Sequence, residues 1–451
     1  MAGGNFDRLS GKERPGTYIN FESTRTDVAG ISERGITLVP LIGHSYGPAK
    51  TFIQIYSDSP DAAFDILGYS VYDNTNDGML LIREAFKNSR SVIAYIPSQG
   101  AKAKITQGTL TGTAKYGGSR GNDLKFSVTA NPIGGFDVGV YLKEQTINEY
   151  EGLATVAELI AQNNGWIDFT GTGNLTEIAG ASLTGGTDGA LVVSDITEFL
   201  DASEAIKWNT MAFPLEATGE SGDPIPALHE AVKTKIKYLR DGAGKYRKAA
   251  VPKFYSDYEG IINVTNSIKL ADRELTAAQA TAWVAGVDSG ASNTTSNTHV
   301  KYDGAVGIIG LKNNAEAIAA IRKGEFFFSF SEDGEVIVEY DINSLTTFRP
   351  PKDKTYRKNR VLRVFDTFAE TLMREFPPNK FDNNDTGWDV MEGLGKAILK
   401  LFFDAGAIKN VDYDNDFKVD RTLSTGDETY FDVGLEAVDS AEKLFFTIKT
   451  R

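Results

Sequence analysis

The stretch AEKLFFTIKTR, Ala441 to Arg451, sets the reading of the chain. Leu444, Phe446 and Ile448 fall on one face of an extended segment, and Phe445, Thr447 and Lys449 fall on the other. Alternation with a period of two predicts a strand. No turn follows to fold it back onto a neighbour, and an unpaired apolar strand is an aggregation hazard. Such a strand needs a partner from elsewhere. TYINFES, near the other end, raises the same question. Ile19 and Phe21 share one face there, just after Pro15-Gly16 punctuates a polar, Gly-rich start.

The whole chain of 451 residues has ordinary globular composition, 41% apolar and 11% aromatic, and is long enough for about three domains. There are no cysteines, which excludes a disulfide scaffold, a CxxC zinc site and a thiol nucleophile. The start lacks the apolar core of a signal peptide, and no run of about 18 apolar residues predicts a membrane span. A net charge of −14 argues against general nucleic-acid binding. The charge is segregated. Arg349 to Arg363 carries seven Lys/Arg and one acid, whereas Phe381 to Arg451 carries fifteen Asp/Glu against eight Lys/Arg. Two solvated faces explain this blandly. Complementary surfaces that meet in an assembly explain it more sharply.

The pattern divides into an N-terminal arm (1–25), a first core segment (26–99), an inserted β-rich unit (100–187), a central α/β unit (188–350), a last α/β unit (351–440) and a C-terminal arm (441–451). In the first core segment GITLVPLIG, KTFIQIY and SVIAYIP read as strands, and GMLLIREAFKN as a helix. The insert is Gly/Thr-rich with short alternating runs. The central unit alternates helices and strands, the signature of an α/β layer. Its helices include SDITEFLDASEA, with Ser194 as the expected N-cap, and IPALHEAVKTKIKYLRD. Asp333-Gly334 between two β-rich runs predicts a hairpin. In the last unit Leu362, Phe365, Phe368, Leu372, Met373 and Phe376 form an apolar helical stripe, and WDVMEGLGKAILKLFFDAG forms a second helix.

The chain offers no catalytic constellation. Asp412, Asp414 and Asp416 have the alternate spacing of a calcium loop, but Phe417 and Leu423 stand where Gly and Glu belong. GAGKY and GLGKA lack the earlier Gly and the hydroxyl of a phosphate loop. His44, His229 and His299 sit in no nucleophile motif. Neither a cofactor nor a metal site is expected, and the expected role is not enzymatic. Unpaired terminal strands, segregated charge and several domains are properties of an assembly protein.

RPGTYINFES, GMLLIREAFK, AKYGGSRGNDLKFSV, EYDINSLTTF and the ending AEKLFFTIKT resemble, in this order, the tail sheath proteins of contractile phages. The likeness covers essentially the whole chain. It is strongest to sheaths of Gram-positive myophages and of defective prophages that make phage-tail-like bacteriocins. The resemblance implies arms that add strands to a small sheet in the last domain of another copy, with Ile19, Phe21, Leu444, Phe446 and Ile448 as the buried faces. It implies an outward insert and a last domain against the tail tube. It also implies hexameric rings stacked helically, contacting tube, baseplate and tail terminator in a virion or phage-tail-like particle assembled in the host cytoplasm. Arg357, Lys358, Arg360 and Arg363 are then candidate contacts to the tube or to Asp412, Asp414 and Asp416 of another copy. The competing readings are a baseplate or tube component, an α/β hydrolase, and a glycan-binding module around Tyr116 and Trp166.

Overall fold

The computed structural model describes residues 34–162 and 164–450. Ile19 and Phe21 lie outside them. The core is a seven-stranded sheet drawn from both sides of the insert. Its order is Glu325–Phe326, Ile261–Val264, Lys248–Pro252, Thr210–Ala212, Ile36–Pro40, Ser91–Tyr95 and Phe52–Tyr56. All neighbours run parallel except the last pair. A parallel sheet covered on both faces needs apolar residues at successive positions. Ile36, Leu38, Ile93 and Tyr95 face one core together with the helices Val193–Ala202 and Ile225–Lys237. Val39, Val92 and Ala94 face the other, together with the helix Asp77–Phe86.

That second face also holds the helix Ala277–Gly290, which the sequence pattern does not announce. It is buried from Ala280 to Ser289 without a break. Trp283 stacks on Tyr302 at 4.4 Å between ring centroids. Two glycines one turn apart permit the close approach to the end of Asp77–Phe86. A Cβ on Gly286 would lie 2.6 Å from the Ala85 carbonyl oxygen, and one on Gly290 would lie 2.0 Å from that of Asn88.

The insert leaves and returns at one point, since a Cβ on Gly100 would lie 1.6 Å from the Thr187 carbonyl oxygen. A three-stranded and a four-stranded antiparallel sheet close around Phe126, Trp166 and Phe169. Tyr46 stacks on Trp166 and Phe64 tilts against it, which seats the insert on the core. The expected hairpin forms, with Phe328–Phe330 paired to Val336–Val338 and Gly334 at φ 76°. Ser194 is not a cap. It lies inside the first turn, Val192 occupies the N-cap position, and the Asp195 carboxylate accepts from the Val192 N–H at 3.2 Å.

The last domain pairs the helices Asn359–Glu375 and Asp385–Asp404 through Val364, Phe368, Ile398, Leu399 and Phe402. Met373, placed in the apolar stripe by periodicity, is 51% exposed. A two-stranded antiparallel sheet, Phe417–Val419 with Phe431–Val433, lies on these helices. Phe417 fills the space above Gly395.

Substituting Gly286 with Ala forces the two helices of the second face apart. Overpacking of this kind costs about 1–3 kcal/mol. Chemical denaturation of the unassembled subunit should show that loss, and an unchanged midpoint would refute the close-contact account.

Candidate functional site

The helix Asn359–Glu375 has a second buried face, and it is polar. Asp366 takes a forked pair of hydrogen bonds from Arg240 at 2.9 and 2.7 Å. Glu370 accepts from Arg247 at 2.8 Å. Arg363 is fully buried and donates to the carbonyls of Ser292 and Thr295 at 3.1 and 2.8 Å. It also reaches Asp288 at 3.3 Å and Asp341 at 3.6 Å. Asp288 is itself buried among Lys248, Arg34 and Arg363 and accepts from the Thr210 hydroxyl at 2.5 Å. Burial alone would raise its carboxyl, but Lys248, Arg363 and Arg34 outweigh this and hold it well below the usual range. Burial lowers the Lys248 ammonium to about 8 against the pull of Asp288.

This corrects the reading of the basic run as a surface. Arg363 has no exposure to offer a tube or another copy. Lys358 is buried against Glu442, with Asp439 at 3.7 Å, and Arg360 donates to the Ser440 hydroxyl. These two cations hold the root of the C-terminal arm of their own chain. The Ser296 and Thr298 hydroxyls both donate to Glu442 at 2.7 Å. Of the four cations Arg357, Lys358, Arg360 and Arg363, Arg357 alone lacks a side-chain partner among the described residues. The acidic turn is likewise self-contained. Asp412 accepts from the Asp414 N–H at 3.0 Å and from Asn415 at 2.8 Å, and Asp416 accepts from the Asp412 N–H at 2.6 Å. Asp414 is exposed, with Lys396 at 3.7 Å.

Beyond Glu442 the chain has no strand partner among the described residues. Leu444, Phe445, Phe446 and Ile448 are 66%, 92%, 81% and 85% exposed. Four large apolar side chains in water on one short segment mark an interaction site. The sheet Phe417–Val419/Phe431–Val433 supplies the matching feature. Two strands are marginal alone; the Val419 N–H on the outer side of Phe417–Val419 is held by the Glu392 carboxylate at 3.0 Å, which leaves Phe431–Val433 as the free edge among the described residues.

Comparison with known proteins identifies the family. Residues 98–188 match the phage tail sheath protein beta-sandwich domain, 189–344 the central domain and 351–451 the C-terminal domain. The chain is 36% identical over its full length to the full length of the phage-like element PBSX protein XkdK of Bacillus subtilis. It also shares 37% identity and a TM-score of 0.82 with the sheath tail protein of Desulfitobacterium hafniense, over 95% of this chain and 98% of that one. This chain belongs to the phage tail sheath protein family. It is a tail sheath subunit, a component of a phage or phage-tail-like particle. The contracted helical sheath of the anti-feeding prophage shares its fold at a TM-score of 0.55 and 12% identity, over 98% of this sheath chain.

Two of the three histidines have structural employment. His44 and His229 are buried and donate from Nε2 to the carbonyls of Tyr46 and Leu215 at 2.7 and 2.8 Å. Tyr116 and Trp166 belong to the aromatic seat beneath the insert. No cluster of His, Cys, Asp or Glu among the described residues has a metal-binding arrangement.

Two predictions follow from these groups. Removing Glu442 as Glu442→Ala strands the buried Lys358 ammonium and should cost about 3 kcal/mol, seen as a lower denaturation midpoint. Burial holds both His44 and His229 below the ordinary imidazole value. Below about pH 6.5 the unfolded chain binds protons that the folded chain refuses, so stability falls as pH drops from 7 toward 5. Denaturation midpoints at the two pH values should show this, with a shallower slope in His229→Gln.

Proposed function

We propose that this tail sheath subunit polymerises around a tail tube as helically stacked hexameric rings and stores work in an extended packing. A baseplate signal releases that packing, and the sheath shortens to drive the tube through a target envelope. The energy comes from two arrangements of one set of subunits, with no nucleotide, cofactor or catalytic step. The baseplate and a tail terminator bound the polymer, which forms in the host cytoplasm.

The observation that carries this reading is the pair of unfinished elements on one chain. An apolar segment, Leu444 to Thr450, leaves the subunit unpaired among the described residues, and a two-stranded sheet presents one free edge along Phe431–Val433. In the proposed polymer the segment of one copy adds a strand to the sheet of another, burying Leu444, Phe446 and Ile448. Main-chain hydrogen bonds then supply affinity, and alternate side chains fix register. Ile19 and Phe21 serve the N-terminal arm in the same way. The insert, joined through the adjacent Gly100 and Thr187, points away from the tube. Asp412, Asp414 and Asp416 lie on the domain that faces it, as candidate charge contacts to the tube or to a neighbouring copy.

Truncation tests the arm. The cut belongs after Lys443, because Glu442 is needed within the subunit. The chain ending at Lys443 should keep the parental denaturation midpoint yet form no cylinders in negative-stain images. Long cylinders from this variant would sink the strand-exchange reading.

A further inference from the structure

A groove of about 530 Å³ opens where the helix Asn314–Arg322 faces the turn Lys354–Arg357. Ile318, Ile321 and Ile342 line its apolar side, and Ile318 is 45% exposed. Arg322 and Lys354, both exposed, stand at its rim. Arg357 lines it too, and only 8% of this residue meets solvent. Its Nε and Nη2 are buried without a hydrogen-bond partner. Every other cation buried near it is matched: Lys358 by Glu442, Arg360 by Ser440, Arg363 by Asp288 and Asp341. Two of the three guanidinium nitrogens are thus out of water with no acceptor, an expensive arrangement for an isolated subunit, and Nη1 is the nitrogen left to face the groove.

We propose that the groove is a socket for a carboxylate side chain of a second copy of this chain, with Arg357 as the group that receives it. This rests on the reading of the chain as a polymerising sheath subunit and names a contact separate from strand exchange. Three observations select the occupant. The chain carries 61 acids against 47 Lys/Arg, so a second copy presents acidic surface while this groove presents cations and one acid, Asp439. Asp439 is already engaged with Lys358. The groove is bordered by Lys443, the last residue before the exposed arm, so a copy engaged by that arm is brought to its edge. The isoleucine wall further calls for an acid flanked by apolar residues rather than a free anion. In a head-to-tail polymer two different patches of one chain must match, and a basic socket with an acidic counterpart does so.

Arg357→Met keeps the bulk and removes the charge. The unassembled variant should be at least as stable as the parent, because an unpaired buried cation has been removed. Its polymerisation threshold should rise roughly 30-fold or more, the effect of deleting one partner of a buried charge pair across an interface. Arg357→Lys should recover part of that loss. A lower denaturation midpoint for Arg357→Met would show that the guanidinium serves the fold, and parental polymerisation would show that it meets no partner. Either result overturns the proposal. The occupant is identified by placing the photocrosslinker p-benzoylphenylalanine at Ile318 and irradiating assembled material. Covalent dimers joined to an acid-containing peptide of the second copy are expected. Crosslinks confined to one chain, including to its own residues 1–33, overturn it. If the parental protein itself forms no polymer, the sheath reading fails and the socket with it.

Discussion

One carboxylate fixes how the parts of this subunit sit together. Asp288, near the end of the helix Ala277–Gly290, meets Lys248 from the central sheet, Arg363 from the last domain and Arg34 at the first described residue. Buried charges are costly to desolvate, so such a cluster is tolerated only when geometry and hydrogen bonds are nearly complete. The Thr210 hydroxyl and the carbonyls of Ser292 and Thr295 provide that completion. An apolar interface of equal area tolerates sliding. A set of directed charge contacts, joined by the Arg240–Asp366 fork, does not. The last domain is thereby held in one orientation on the central one.

The same polar network extends to the root of the C-terminal arm. Arg363 approaches Asp341, whose carboxylate accepts from the Asn297 N–H at 2.9 Å. The neighbouring Ser296 and Thr298 hydroxyls hold Glu442, which Lys358 also holds. The arm therefore leaves from a rigid mount. Past Lys443 the large apolar side chains lie exposed to solvent.

Much of this was legible in the sequence, and the failures have a common cause. Runs such as ITLVP and SVIAY read as strands because apolar residues fill successive positions, and Asp333-Gly334 reads as a turn because Gly334 must take a positive φ. The helix Ala277–Gly290 escaped notice because it is covered on every side. A helix without a polar face has no period to detect. Lys358, Arg360 and Arg363 were misread because a buried cation and a solvated one look alike in a sequence. Asp288 and Glu442, which neutralise Arg363 and Lys358, lie 75 and 84 positions away. The unpaired state of the terminal segment was legible, since strand alternation without a turn is a local signal. The solitude of Arg357 was not, because it depends on every residue that fails to reach it.

The sheet order carries a consequence for synthesis on the ribosome. Ile36–Pro40 lies between Ser91–Tyr95 and Thr210–Ala212, so one of its neighbours emerges soon after it and the other only after the whole insert. The insert is contiguous and its strands pair among themselves, so it has all its contacts as soon as it clears the exit tunnel. During that interval the apolar edge of Ile36–Pro40 waits. Once folded, a sandwich with its two ends side by side at Gly100 and Thr187 gathers the intervening residues into a bead. It thereby brings the late half of the sheet to the early half across a gap that a loose chain would have to close by diffusion.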